Sequence, residues 1–316
     1  MSFYRNSTAA IAAFVCGQAL FAVPTLAETL GISLSDDSNP FYVQMRKGIE
    51  ERATELGWTF TYVGANESVV NQIQTVEDFV AKGVDSILIS PVDAVGAGPA
   101  YAAAAAAGIP IMSVARHAIS PDQTMAIKMD EVGVGSAIGA WLVAKLDGKG
   151  KIAMIEGPSG AQTFRNIAQG FTTQIESASG IEVVARFEAP LRREEGLRIT
   201  EDILTAHPDV QAIYCGNDET ALGAVQAVAA AGKTGQIIIT GMNATGPARA
   251  AVDSGGLALT VQLKPLEWGR LAVDSMAKWL GGDHTFEAPR PEFSLMQFFK
   301  FAAIGSNHEL NHLTSN

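Results

Sequence analysis

From Thr29 onward the chain alternates short apolar runs with longer segments of helical period, and it does so in two successive series. Few folds accommodate that pattern. Strands separated by helices pair in parallel, because a helical crossover returns the chain to the same end of its sheet. In the first series the strand-like runs are 29–33, 59–63, 86–89, 109–114 and 125–128, with helical segments at 41–56, 69–81 and 99–107. Gly57, Gly83 and Gly108 stand where a left-handed residue closes a helix. The second series places strands at 151–155, 182–185, 212–215, 237–240 and 259–263, separated by helices at 133–146, 164–177, 193–207, 219–231 and 246–254. A late helix at 266–280 precedes Pro289, Pro291 and a final strand near 293–300. Two tandem α/β halves with strands left over at the end predict a chain that crosses between two domains more than once. Ligands of open α/β sheets bind outside the carboxyl ends of the strands, so two such edges facing each other make a cleft.

The first 27 residues do not fit that series. Arg5 precedes a mostly small and apolar run from Ala9 to Ala22, and Pro24-Thr25-Leu26-Ala27 then supplies a helix breaker and small residues. This is the pattern of a secretory signal peptide cleaved after Ala27. The run is too short for the roughly 20 residues that span a bilayer. Cys16 lies in mid-run behind Phe14-Val15, so it reads as an apolar-core cysteine and not as a lipid-attachment site. Processing leaves Cys215 as the only cysteine, which excludes an internal disulfide in an oxidising compartment. It also removes Arg5 from a chain already at −11, and a surface so acidic is a poor partner for nucleic acid or anionic membrane.

Several motifs look chemical and have plainer explanations. Gly133, Gly135 and Gly139 resemble a dinucleotide fingerprint with its last interval one residue too long, and close helix packing explains small residues there equally well. Gly232-Lys233-Thr234 resembles the end of a phosphate loop, but the glycine required five positions earlier is Ala227, so Gly232 reads as a helix C-cap. No Gly-x-Ser-x-Gly elbow is present, and His117 stands alone near a strand end. Asp36-Asp37 and Asp130-Glu131 are adjacent pairs whose side chains diverge, which is poor geometry for an acid/base couple. His308 and His312 lie in a polar tail without zinc spacing elsewhere. The expectation is a binding protein with no metal and no cofactor, not an enzyme.

Three segments at predicted strand ends carry a family likeness: Ser38-Asn39-Pro40-Phe41-Tyr42, Thr205 to Ala212, and Cys215-Gly216-Asn217-Asp218-Glu219-Thr220-Ala221-Leu222-Gly223. With Ala229-Ala230-Ala231-Gly232-Lys233, they resemble the ribose-type periplasmic sugar-binding proteins, whose fold is shared with the sensor domains of LacI-like repressors. The resemblance implies a type 1 periplasmic binding protein, a Venus flytrap of two similar doubly wound parallel-sheet domains. It implies one lobe at 28–129 plus 264–292, a second at 130–263 plus 293–316, and hinge crossings near Asp130, Leu263 and Phe293. The implied ligand contacts are Asn39, Phe41, Tyr42, Arg116, Arg165, Leu191, Asn217, Asn243 and Gln262. Those residue types suit a sugar: aromatic walls pack on its C–H faces, while Asn and Arg bond its hydroxyls.

The likeness also has gaps. Ala115 stands where ribose-binding members have Asp before the arginine, Asn243 replaces a second acid, Leu191 replaces an aromatic, and the hinge-strand glutamine aligns with Leu263 unless Gln262 takes its place. Two arginines without those carboxylates leave two expectations: a neutral sugar or polyol, with Asp36, Asp37 or Asp218 compensating the charge, or an acidic sugar derivative that supplies its own. The implied partner is a membrane ABC permease, with a chemoreceptor or sensor as the alternative, and the chain is expected to be a periplasmic monomer. A repressor's effector domain fits less well, since an export signal occupies the place of a DNA-binding helix-turn-helix. A sugar-acting enzyme is the remaining alternative.

Overall fold

The computed structural model describes residues 27–285 and the backbone of 294–297. The leader expected over residues 1–27 lies, but for Ala27, outside the described residues, as do the histidines of the C-terminal tail and the outer parts of the 293–300 strand. The first series builds a five-stranded parallel sheet in the order β2-β1-β3-β4-β5, from β1 (Thr29–Ser33), β2 (Thr59–Tyr62), β3 (Ser86–Ile89), β4 (Ile111–Val114) and β5 (Met125–Ile127). Its crossovers are α1 (Pro40–Glu55), α2 (Val69–Lys82) and α3 (Gly98–Ala106). β3 and β4 are buried at every position, as strands covered on both faces must be.

The second series builds a six-stranded sheet in the order β11-β10-β9-β8-β6-β7. Its parallel strands are β6 (Lys149–Glu156), β7 (Gly180–Glu188), β8 (Ala212–Cys215), β9 (Ile238–Thr240) and β10 (Leu259–Gln262), and β11 (Ser294–Gln297) joins antiparallel. The helices are α4 (Glu131–Lys145), α5 (Gln162–Glu176), α6 (Arg193–Ala206), α7 (Asp218–Ala230) and α8 (Gly246–Asp253). After β10 the chain returns to the first sheet, where α9 (Pro265–Leu280) packs on α1, and it then contributes β11 to the second.

Glycine explains how three helix pairs come so close. A Cβ added at Gly135 would stand 1.9 Å from Ile167 O, and one at Gly170 would stand 2.1 Å from Val132 O, so α4 and α5 meet backbone to backbone. Of the glycines that mimic a dinucleotide fingerprint, Gly135 and Gly139 thus form a packing stripe, and Gly133 sits against the Asp130 cap of its own helix. Gly48 with Gly269 does the same for α1 and α9, and Gly196 with Gly223 for α6 and α7. Gly232, at φ 68°, follows the end of α7 in the left-handed region, as a residue after a helix terminus does.

Candidate functional site: a cleft between two sheet edges

The C-terminal ends of both sheets face one partly open cavity of about 420 Å³, open solvent included. Each wall is set by a local rule of chain geometry. After β1, Asn39 takes extended angles and caps α1, its Oδ1 accepting from Phe41 N at 3.0 Å, with Pro40 opening the helix. That cap turns Phe41 and Tyr42 into the cavity on the first turn. Phe41 meets Tyr42 edge to face at 5.3 Å and Trp268 of α9 at 5.8 Å, so three rings brace one another. The Tyr42 hydroxyl accepts from Ser90 Oγ at 3.2 Å, which leaves the ring as its contribution to the wall.

After β4, Ala115 sits at φ 67°, a left-handed conformation that a non-glycine residue holds only where its surroundings enforce it. The turn delivers Arg116, 3% exposed, to the cavity wall. Its guanidinium forms a fork with Glu67: Nη1 donates to Oε2 at 3.0 Å and Nη2 to Oε1 at 2.7 Å. Glu67 is fixed in turn by its own N–H, which donates to Ser35 O at 2.7 Å. Burial pushes the Arg116 pKa down, but Tyr42 and Glu67 outweigh it and hold the group charged. Nε is buried without a partner. The Phe164 ring from the opposite sheet lies 5.3 Å from the guanidinium carbon, a cation–π contact across the cleft.

The second sheet supplies Thr163 and Phe164 after β6, Leu191 after β7, Asn217 after β8, Met242 and Asn243 after β9, and Leu263 after β10. Asn217 caps α7 through Oδ1 to Thr220 N at 2.9 Å, and its Nδ2 donates to Leu191 O at 3.3 Å. Asn243 is held at φ 118° with its N–H donating to Val261 O at 2.8 Å. Beneath this loop Asp218 is fully buried, accepting from Thr260 Oγ1 at 2.6 Å and Thr245 N at 2.7 Å. Desolvation pushes its carboxyl up to about 7.

The two edges touch beside the cavity. Ala94 N donates to Gly160 O at 2.9 Å, and His117 Nδ1 lies 3.3 Å from Glu131 Oε1, within ion-pair distance but off the line of a hydrogen bond. Burial pushes the Glu131 carboxyl up, yet His117 beside it and hydrogen bonds from Asn166 and Thr163 win and hold it below its ordinary value.

Of the residues expected from sequence, Asn39, Phe41, Tyr42, Arg116, Leu191, Asn217 and Asn243 line the cavity together. Arg165 does not. It is exposed on the first turn of α5 and bonds Gln162 one turn back, while Phe164 takes the position facing the cleft. Gln262 does not either: successive strand residues face opposite ways, and Leu263 is the one that reaches the cavity. Charge compensation also differs from expectation. Asp37 accepts from the Tyr62 hydroxyl and Asp218 serves the loop beneath, whereas Asp36, bonded to Ser38, adds its field to that of Glu67, which makes the direct ion pair with Arg116. Glu67, Phe164, Met129 and Trp268 escaped the sequence reading. Trp268 lies in a helix whose apolar period reads as ordinary core, and nothing local marks Glu67 as a partner 49 positions from Arg116.

This arrangement agrees with what the chain is similar to. The family described as periplasmic binding protein domain matches residues 30–284. The chain belongs to that family. It is 33% identical over 264 residues to the ribose import binding protein of Bacillus subtilis, spanning 83% of this chain and 85% of that one. It is 31% identical over 249 residues to the D-allose-binding periplasmic protein of Escherichia coli, spanning 76% and 80%. Among solved structures, a solute-binding protein of an ABC transporter from Bacillus halodurans with bound myo-inositol superposes with a TM-score of 0.81 at 28% identity, covering 85% of this chain and 94% of that one. These relatives are binding proteins, and the architecture is the two-sheet type 1 fold they share.

Proposed function

We propose that this protein is an exported solute-binding protein that captures a small neutral sugar or polyol and hands it to an ABC permease. The observation that carries the reading is the cleft itself: an aromatic wall, amides at both sheet edges, and an arginine whose charge is already met by Glu67. A polyhydroxylated ring has apolar faces and polar edges, which those walls match. An acidic sugar would bring a second anion to a guanidinium whose fork is occupied, so the neutral class is favoured. The relatives' named ligands, ribose, D-allose and myo-inositol, belong to that class.

In this reading the lobes are 28–129 plus 264–292 and 130–263 plus 293–316, hinged near Asp130, Leu263 and Phe293. Solute binds one wall and recruits the other on closure, and the permease reads the closed shape. Asn39, Phe41, Tyr42, Arg116, Leu191, Asn217 and Asn243 contact the solute, the protein is not an enzyme, and it acts as a monomer after losing residues 1–27. A thermal-shift screen tests the reading, because a ligand that binds only the folded state raises its melting temperature. Shifts are expected with neutral sugars or polyols and not with sugar acids. Shifts confined to sugar acids would overturn the neutral assignment, and silence across both sets would overturn carbohydrate capture.

A further inference from the structure

Thr163 lines the cavity from the first turn of α5, beside Phe164, and is 5% exposed. Its hydroxyl ends a chain of hydrogen bonds whose directions are set by the groups that make them. A guanidinium only donates, so Arg165 makes Gln162 Oε1 the acceptor and leaves Gln162 Nε2 to donate to Asn166 Oδ1 at 2.6 Å. Asn166 therefore turns its Nδ2 to Glu131 Oε2, at 2.5 Å. The other oxygen of Glu131 meets Thr163 Oγ1 at 2.8 Å and His117 Nδ1 at 3.3 Å. Among these neighbours Glu131 is held below its ordinary carboxylate range, and an ionised carboxylate only accepts. The one hydroxyl proton of Thr163 is thus committed to Glu131, while the lone pairs of Oγ1, to which no described residue donates, are left for what enters the cavity.

A threonine hydroxyl free to rotate serves a solute as donor or acceptor alike, whereas this one can only accept. Resting on the solute-capture reading above, we propose that Thr163 is a solute contact that takes a hydrogen bond from a solute hydroxyl, and that Glu131 is the positioning residue that makes the contact acceptor-only. The pair selects for a solute with a free hydroxyl at that one position, because an atom there that cannot donate would face a lone pair out of water. Arg165 acts from outside the cavity, by setting the direction of the chain.

Isothermal titration of the full chain, expressed with its own leader, tests this with D-ribose, D-allose and myo-inositol, each beside the analogues in which one hydroxyl is replaced by fluorine. Fluorine has nearly the size of a hydroxyl and no proton to give. For a probe that binds, fluorine at one position is expected to weaken binding to the natural protein about tenfold, the effect of one lost hydrogen bond. Thr163→Val keeps the shape of the side chain without its oxygen, so the penalty at that position is expected to vanish while those at other positions persist. Thr163→Ser is expected to restore it. A purely structural role would weaken every member of the series alike, so ratios left unchanged at all positions by Thr163→Val overturn the contact while solute capture stands. In Glu131→Gln the amide can donate to Thr163 and turn its proton to the cavity, and the same ratio is expected to narrow several-fold. An unchanged ratio in Glu131→Gln overturns the acceptor-only contact, whether or not Thr163→Val folds. No binding of any of the three probes by the natural protein overturns capture of this solute class and the inference with it.

Discussion

At the scale of single residues, the Arg116–Glu67 pair and Asp218 make two separable predictions. Glu67→Gln removes the counter-charge from a guanidinium that is 3% exposed, and an unpaired buried charge is strongly destabilising. The Glu67 side chain is 26% exposed, so water screens part of the loss, and the expected cost is about 2 kcal/mol in a urea titration. The same variant is expected to gain affinity for a sugar acid, since the ligand then supplies the missing carboxylate; no gain would show that Arg116 does not face the solute. Asp218 acts through pH. Its folded pKa, about 7, lies above the ordinary 3.8, so the folded state holds this proton more tightly than the unfolded chain does. Its contribution is fully present below pH 3.8 and fades as pH rises through about 7. The stability difference between the natural protein and Asp218→Asn should therefore fall by up to about 1.4 kcal/mol per pH unit between pH 5 and 7. A difference independent of pH over that range would mean the buried carboxyl is ionised throughout.

At the scale of elements, the most exposed test is the α4–α5 contact. Gly135→Val drives a branched side chain against Ile167 O, where even a Cβ would stand at 1.9 Å, and backbone cannot yield as a flexible side chain does. Overpacking and lost helix contact should cost about 3 kcal/mol in chemical denaturation. Gly232→Ala bears on a left-handed position with open space around it, so its cost should be near 1 kcal/mol. Elements of this kind were legible because their signals are local: helices end at Gly57, Gly83 and Gly108, and β1, β3 and β8 run between the residues that apolar runs mark. β7 was read too short, because Gly180–Glu188 alternates half-exposed positions at a sheet edge and lacks a continuous apolar core. The cleft was legible where a capping motif and the site coincide, as at Asn39 and Asn217. It was illegible where rotation about a helix decides: α5 starts at Gln162, which sends Phe164 inward and Arg165 outward. Pairing across 49 positions, as between Glu67 and Arg116, leaves no trace in a single chain's local pattern.

At the scale of the whole molecule, what matters is whether the two sheets can approach. Gly160 sits at the seam, where its carbonyl accepts from Ala94 N and where an added Cβ would meet Asp93 Oδ2 at 2.2 Å. Asp93 is not free to move aside, because Oδ1 accepts from Val95 N at 2.9 Å and Gly96 N at 2.6 Å. Nothing at Gly160 calls for a left-handed backbone, so each lobe can fold around a larger residue there. Gly160→Val should therefore act as a wedge: unfolding of the ligand-free protein stays within about 0.5 kcal/mol of the natural chain, as for a surface substitution. Ligand affinity should fall about tenfold or more, because closure now carries a steric cost that only bound solute can offset. Small-angle scattering separates this from a damaged site. The natural protein is expected to contract on saturation with its solute, whereas the wedged variant, saturated at higher concentration, should keep a larger radius of gyration. Equal contraction in both would mean the seam gives way without cost, and closure would then have to be governed by the hinge strands alone.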